Sequence, residues 1–247
     1  MAGKIYLVAT PIGNLEDITL RAIKTLEEAD IIVAEDTRQT LKLLNHYNIS
    51  KPMISFHRHS TEEKLNEIIN KAKNGENIAL VSDAGTPVIS DPGEEIVKKA
   101  IEESIEVIPI PGPCALITAL IASGIDAKEF MFLGFLPLNK KTRKEKLNEI
   151  KTSNKTIIIY EAPHKIKQTL LDLKEITHNR KIVLARELTK IHEEYISGTA
   201  EELLNKLAEP KGEFVIVIDK NYEIEGNIFD NMTLEEHYKY YENKRFR

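Results

Sequence analysis

Apolar and polar positions follow two rhythms in the first half of this chain. Short apolar runs alternate with longer stretches in which apolar residues recur every three or four positions. The runs Lys4–Ala9 (KIYLVA), Asp30–Ala34 (DIIVA), Met53–Phe56, Ile78–Val81 and Ile105–Ile110 predict strands buried on both faces. The stretches between them predict helices: Thr19–Ala29 with Leu20, Ile23 and Leu26 inward, Thr37–Tyr47 with Leu41 and Leu44 inward, and Gly93 to about Ser104. Ser60 or Thr61 caps a further helix, and Glu63 stands three residues after Ser60 as in a capping box. Strictly alternating strands and helices predict a parallel α/β sheet.

The second half keeps the alternation but with a hairpin-like rhythm. Strands are predicted at Glu129–Phe135, Thr156–Tyr160, Lys181–Ala185, Glu193–Ser197 and Phe214–Ile218. Helices are predicted at Cys114–Ser123, Lys140–Lys151, Lys165–Ile176 and Ala200–Leu207. The expected fold class is therefore α/β with two α/β domains, a parallel sheet in the first and a mixed sheet in the second. A boundary near Ile110–Ala127 gives an N-terminal domain over 1–112, a C-terminal domain over 113–220 and a tail over 221–247. The tail, Asn221–Arg247, has few aliphatic residues and reads as a weakly anchored helix or a flexible end.

In the first half the predicted strands run into turn-rich loops of mostly small or charged residues. The most distinctive is Val81–Gly93, VSDAGTPVISDPG, in which no side chain from Ser82 to Pro87 is larger than Asp83. A ligand can approach such a backbone closely. Asp83 lies just past a strand's carboxyl end, where open α/β sheets hold their ligands. The others are Thr10-Pro11-Ile12-Gly13-Asn14, Glu35-Asp36-Thr37-Arg38, His57-Arg58-His59 and Pro111-Gly112-Pro113.

Composition narrows the classes. At 247 residues, with 42% hydrophobic and 30% charged, the chain can bury a core and still be soluble. One cysteine, Cys114, excludes an intramolecular disulfide framework and suggests a reducing compartment. The start does not read as a signal peptide, and no apolar run approaches the roughly 18–20 residues that span a bilayer. The expectation is a soluble, cytoplasmic protein. A net charge of −5 argues against a wholly basic surface but not against a local one.

Several chemistries lack their motifs. There is no G-x-x-x-x-G-K-[ST], no G-x-G-x-x-G after the first strand and no G-x-S-x-G. No metal site is predicted, because His57 and His59 stand two apart and suit hydrogen bonding better than ligation. Cys114 reads as a small residue facing a ligand or the core. What remains is a set of loops able to grip a ligand through backbone groups and an Asp.

The segments VATPIGNLEDITLRA, AEDTR, SDAGTPVISDPG, PGPCA, GFLP, YEAPHK, ARELTK and KGEFV occur in this order between Lys4 and Ile218. Together they resemble the bacterial small-subunit ribosomal RNA methyltransferase I family, within the tetrapyrrole methylase superfamily. SDAGTP…SDPG with YEAPHK and ARELTK marks the RNA-modifying branch. The resemblance implies methyl transfer from S-adenosylmethionine to the ribose 2′-oxygen of a cytidine in the decoding region of 16S ribosomal RNA. It also implies a homodimer and a cofactor held in the cleft between the two domains. Longer members carry a further C-terminal segment, so RNA contacts made there are not expected of this chain.

Carried over motif by motif, the cofactor residues would be Pro11, Gly13, Asp83, Ala84, Gly85, Thr86, Pro87, Cys114 and Ala115 from the first half. Tyr160, Glu161, Ala185, Glu213 and Phe214 would come from the second. A ribose hydroxyl is a poor nucleophile while protonated, so a general base or an electropositive pocket is expected. Glu35, Asp36, Glu161 and Glu187, with His57 behind them, are the candidate catalytic groups. Arg38, Arg186 and Lys190 are candidate phosphate contacts. Lys140, Lys141, Arg143, Lys144 and Lys146 form the densest basic cluster, readable as a solvated helix face or as an RNA-facing one. So small a basic surface suggests a folded small ribosomal subunit rather than bare RNA as the partner. A tetrapyrrole C-methyltransferase and a non-catalytic RNA-binding assembly factor stay open beside this reading.

Overall fold

The computed structural model describes residues 2–207, 210–222, 233, 235 and 236. Apart from Asn221, Tyr222, Thr233, Glu235 and Glu236, the expected tail lies outside the described residues. The chain divides into two compact units. One is built from residues up to Thr118 together with Glu187–Glu193; the other comprises Ala119–Arg186 and the described residues from Glu194 on.

In the first unit β1 (Ile5–Val8), β2 (Ile31–Ala34), β3 (Met53–Ser55), β4 (Ile78–Val81) and β5 (Val107–Ile110) form the expected parallel sheet, in the order β3-β2-β4-β1-β5. Adjacent residues of a strand face opposite ways, and both faces are apolar. Ile32, Ala79 and Val81 join Leu26 of α1 (Leu20–Glu28) and Leu44 of α2 (Thr37–His46) in one core layer. Val33, Ile78 and Leu80 join Ile68 of α3 (Glu62–Lys73) and Ile96 of α4 (Glu94–Glu102) in the other. This strand order sets β4 between β2 and β1, and β5 on β1's far side. Loops far apart in sequence therefore leave the sheet side by side.

In the second unit β6 (Phe130–Phe135), β7 (Thr156–Glu161), β8 (Ile182–Arg186), β9 (Glu194–Gly198) and β10 (Phe214–Ile218) take the order β6-β7-β10-β8-β9. β6 runs parallel to β7 and the other pairs are antiparallel, so the sheet is mixed as expected. Ile157, Ile159, Leu184 and Ile216 share a core with Ile150 of α6 (Lys140–Lys151), Leu170 and Leu173 of α7 (Ile166–Thr177) and Leu203 of α8 (Ala200–Lys206). The remaining helix, α5, covers Ala115–Ala122.

Three local expectations are corrected. Leu20, the first residue after the Thr19 cap, is 86% exposed, and α1 buries Ala22, Thr25 and Leu26 instead. Leu41 is 45% exposed, because the inward stripe of α2 is Thr40, Leu43 and Leu44. No capping box forms at Ser60. The Thr61 hydroxyl caps α3 by accepting from the Lys64 amide, while Ser60 Oγ turns back to accept from the His57 amide at 2.9 Å. A capping box does form at Thr199 and Glu202.

Candidate functional site

The loop after β4 is tied to both neighbouring strand ends. Thr10, just past β1, exchanges two backbone hydrogen bonds with Gly85, at 2.9 and 3.0 Å. On the β5 side the Thr86 hydroxyl donates to the Pro113 carbonyl at 3.0 Å. Pro11, Asp83, Ala84, Gly85, Thr86, Pro87, Cys114 and Ala115 are thus gathered at the carboxyl ends of β1, β4 and β5. Asp83 and Ala84 are exposed, while Gly85 and Pro87 are buried. Beyond Pro87 the loop is strained, since Val88 and Ser90 hold φ of 76° and 67°. A β-branched residue in that region costs on the order of 1–3 kcal/mol and persists only where its surroundings impose it. Arg58, from the loop after β3, donates to the Ser90 carbonyl at 2.6 Å and holds the far end of the turn.

A cluster of carboxylates lies beside this loop because β2 and β4 are neighbours. Asp83 Oδ1 accepts from the Asp36 amide at 2.9 Å. Glu35, half-buried, has its carboxyl raised above its ordinary value, first by burial and then by the charges of Asp91 and Asp83. The Arg58 guanidinium and the Asp83 backbone pull it partly back. Asp91 is likewise raised by burial and by Asp83, against a hydrogen bond from Ser82 and the charge of Arg58. Asp36 is the opposite case. It caps α2 through the Arg38 amide and takes two hydrogen bonds from the Arg38 guanidinium, at 3.0 and 2.7 Å, which hold its carboxyl down to about 2. So Asp36 is a weak base, and Glu35 is the group whose surroundings raise its basicity.

Gly13 stands further along the β1 loop. It seats the segment Glu187–Glu193: a Cβ added there would fall 2.5 Å from Lys190 Cγ, 2.8 Å from Thr189 Oγ1 and 2.9 Å from the Leu188 carbonyl oxygen. The segment bends at Glu187 and Thr189, with φ of 50° and 64°, and the Thr189 amide donates to Glu193. Glu187 accepts from the Lys190 ammonium at 3.0 Å, which sets both candidates against each other.

In the second unit, strand pairing collects residues scattered in sequence. Val215 stands between Tyr160 and Ala185, and Phe214 between Glu161 and Arg186, with Glu213 just outside. Glu161 is 3% exposed, and its oxygens accept from the Ala162 amide and from the Thr169 hydroxyl at 2.6 Å. Thr169 accepts in turn from Arg143, whose guanidinium also grips Asp172. Arg143 is thereby a packing residue of α6, unlike the exposed Lys140 and Lys141. Arg186 pairs with Glu194 at 3.1 Å.

Sequence reasoning missed Asp91, Arg58 and Thr189. Asp91 and Thr189 lay inside SDAGTPVISDPG and ARELTK and Arg58 inside the loop His57-Arg58-His59, but only the strand order and the return of the 187–193 segment give them partners. Among the described residues no group of side chains could hold a metal ion, and no helix is long and apolar enough to cross a membrane.

Comparison with known proteins places the arrangement. The family profile described as Tetrapyrrole (Corrin/Porphyrin) Methylases matches residues 4–204. A protein of Halalkalibacterium halodurans named Ribosomal RNA small subunit methyltransferase I is 53% identical over 223 residues, 90% of this chain and 77% of that protein. One of the same name in Bacillus subtilis is 49% identical over 248 residues, covering 98% of this chain and 85% of its own length. A solved uroporphyrin-III C-methyl transferase from Thermus thermophilus, complexed with S-adenyl homocysteine, superposes with a TM-score of 0.63. That likeness covers 88% of this chain and 97% of the other at 15% identity, a likeness of fold alone. With strand order, loop motifs and relatives in agreement, the chain belongs to the tetrapyrrole methylase family and, within it, to the ribosomal RNA small subunit methyltransferase I family.

Proposed function

We propose that this protein transfers a methyl group from S-adenosylmethionine to the ribose 2′-oxygen of a cytidine in the decoding region of 16S ribosomal RNA. The observation that carries the reading is the relatedness to small-subunit rRNA methyltransferases over nine-tenths of the chain, at 53% identity. The tetrapyrrole C-methyltransferase alternative rests on neighbours whose likeness is one of fold only.

The residues at the ends of β1, β4 and β5 suit S-adenosylmethionine. The stretch from Ser82 to Pro87 is small-sided and already braced by Thr10 and Pro113, so a ligand meets a preformed backbone surface. Asp83 leaves a carboxylate at the mouth of that surface, suited to hydroxyls or an ammonium. The cofactor, when bound, supplies a methyl group already activated on a sulfonium. What the chain adds is alignment of the acceptor hydroxyl and disposal of its proton. Glu35 is the proton acceptor we favour among the four candidates. Asp36 is held by Arg38, Glu161 has both oxygens engaged, and Glu187 is occupied by Lys190. Exposed Lys140 and Lys141 supply phosphate contacts, with Arg38 at the β2 end. The natural partner is the assembled small subunit, the active species a homodimer, and the compartment the cytoplasm.

The test is transfer of labelled methyl to unmethylated small ribosomal subunits, with ribose methylation mapped afterwards. A single 2′-O-methylcytidine in the decoding region supports the reading. S-adenosylmethionine binding without RNA methylation overturns the substrate, and loss of both overturns the methyltransferase assignment.

A further inference from the structure

The second unit carries an aromatic and basic edge of which the reading above uses only Lys140 and Lys141. β6 is the outer strand of its sheet and enters pairing in register, Phe130 with Thr156, Met131 with Ile157 and Phe132 with Ile158. Continued unchanged, that register would set Phe135 opposite Glu161. Instead an extra residue is inserted, and Phe135 stands opposite Tyr160. Gly134, at φ of +64°, makes the insertion possible at no steric cost.

The consequence is geometric. Residues three apart on a regular strand point to opposite faces. With the bulge between them, Phe132 and Phe135 both bring their rings edge-on to Tyr160, at 4.8 and 5.7 Å between centroids. Phe132 is half-buried, but Phe135 keeps 53% of its surface in solvent and Leu138, three residues on, 77%. Tyr160 pins the Phe135 ring, so the ring is held outward instead of folding onto the core.

Just beyond, α6 presents Lys140, Lys141 and Lys144 on one exposed face, related by three and four positions. Arg143 and Lys146 are neutralised by Asp172 and Glu149. Among the described residues Lys140, Lys141 and Lys144 have no ion pair, and Glu145 is the nearest carboxylate in sequence. In a chain of net charge −5 this is a local concentration of uncompensated positive charge, five, six and nine residues on from an exposed aromatic ring.

We propose that this edge is a docking surface for a single-stranded segment of RNA, with a base stacked on Phe135 against Leu138 and the flanking phosphates on Lys140, Lys141 and Lys144. The proposal rests on the RNA-methyltransferase reading for its partner and adds where the strand lies outside the reacting site. Charge complementarity selects RNA over an apolar protein segment. A fixed ring beside mobile cations is how sequence-tolerant single-strand binders are built.

The test uses the full chain, a short fluorescein-labelled single-stranded RNA and unmethylated small ribosomal subunits. Affinity is measured across a potassium chloride series for the wild type, Lys140→Ala/Lys141→Ala/Lys144→Ala, Phe135→Ala and Phe135→Tyr. Each phosphate contact contributes about 0.7 to the slope of log affinity against log salt on single strands, so the triple variant should lose about 2 from that slope. Phe135→Ala should bind roughly 5- to 100-fold more weakly with the slope unchanged, and Phe135→Tyr should restore binding. All four side chains are exposed or half-exposed, and a thermal melt within a few degrees of wild type checks that the variants are folded. Unchanged slope in the triple variant, or unchanged affinity in Phe135→Ala, overturns the surface. If the wild type methylates the subunit while these variants bind like it, the surface falls and the methyltransferase reading stands. If the wild type methylates no RNA but the variants lose binding as described, the surface stands and that reading falls.

Discussion

The backbone amide of Asn14 donates to the hydroxyl of Thr189 at 3.0 Å, across 175 positions of sequence. The neighbouring Gly13 has no Cβ to keep the two backbones apart, and that is what lets the contact form. Gly13→Ala sets a methyl group against a carbonyl oxygen and a side chain that cannot both withdraw. We expect it to destabilise the protein by roughly 1–3 kcal/mol, read as a lower denaturant midpoint. Thr189→Val, which removes only the hydroxyl, should cost about 0.5–1.5 kcal/mol. Equal losses in the two variants would refute the steric account.

Asp91 raises Glu35, and Asp83 raises them both. Asp91→Asn removes a charge that lifts Glu35, so the Glu35 carboxyl should titrate at lower pH in the variant, measured by carbon-13 NMR of the side-chain carboxyls. The sign for stability follows. Both groups have folded values above their unfolded ones, so each favours the folded state most when protonated, and that contribution disappears as pH rises through the folded value. Asp91→Asn should therefore gain stability over the wild type at neutral pH and lose the advantage near pH 4.

Asp36 behaves in reverse. Its folded value of about 2 lies below the ordinary 3.8, so its contribution is present above 3.8 and is lost as pH falls through 2. Asp36→Asn should lower the denaturation midpoint at pH 7 and converge on the wild type toward pH 2. A gap of constant size over that range would show that the cap, and not the charge, matters.

Arg143 joins Asp172 and Thr169 inside the second unit, and through Thr169 it reaches Glu161. Arg143→Ala should cost roughly 2–3 kcal/mol, typical of hydrogen bonds to charged groups left unmade. Arg143→Lys should recover little of it, since one ammonium cannot serve both partners as a planar fork does. Denaturant titration of the two variants decides this.

The architecture was largely legible in the residue pattern because fully buried strands leave unmistakable apolar runs, as at Ile78–Val81 and Phe214–Ile218. Phase within a helix was less so. Leu41 and Leu44 fit an inward stripe as well as Leu43 and Leu44 do, and only packing against the sheet chose the latter. The small-sided strand-end loops were legible, but not their neighbours. Asp36 meets Asp83 because β2 lies beside β4, a fact of strand order that local sequence does not encode. Arg143 read as one more surface cation in a lysine-rich helix, and Asp172, which draws it inward, is a full helix away in the chain.

The return of Glu187–Glu193 to the first unit has a bearing on how the protein is made. Synthesis proceeds from the amino terminus, so the turn around Gly13 emerges early and its seat is delivered only when residues past 187 leave the ribosome. Until then the Gly13–Asn14 turn lacks the partner that fixes it. The amino-terminal unit, though earliest in the message, is finished late, and a nascent chain arrested before residue 187 would carry its sheet without the segment that closes it.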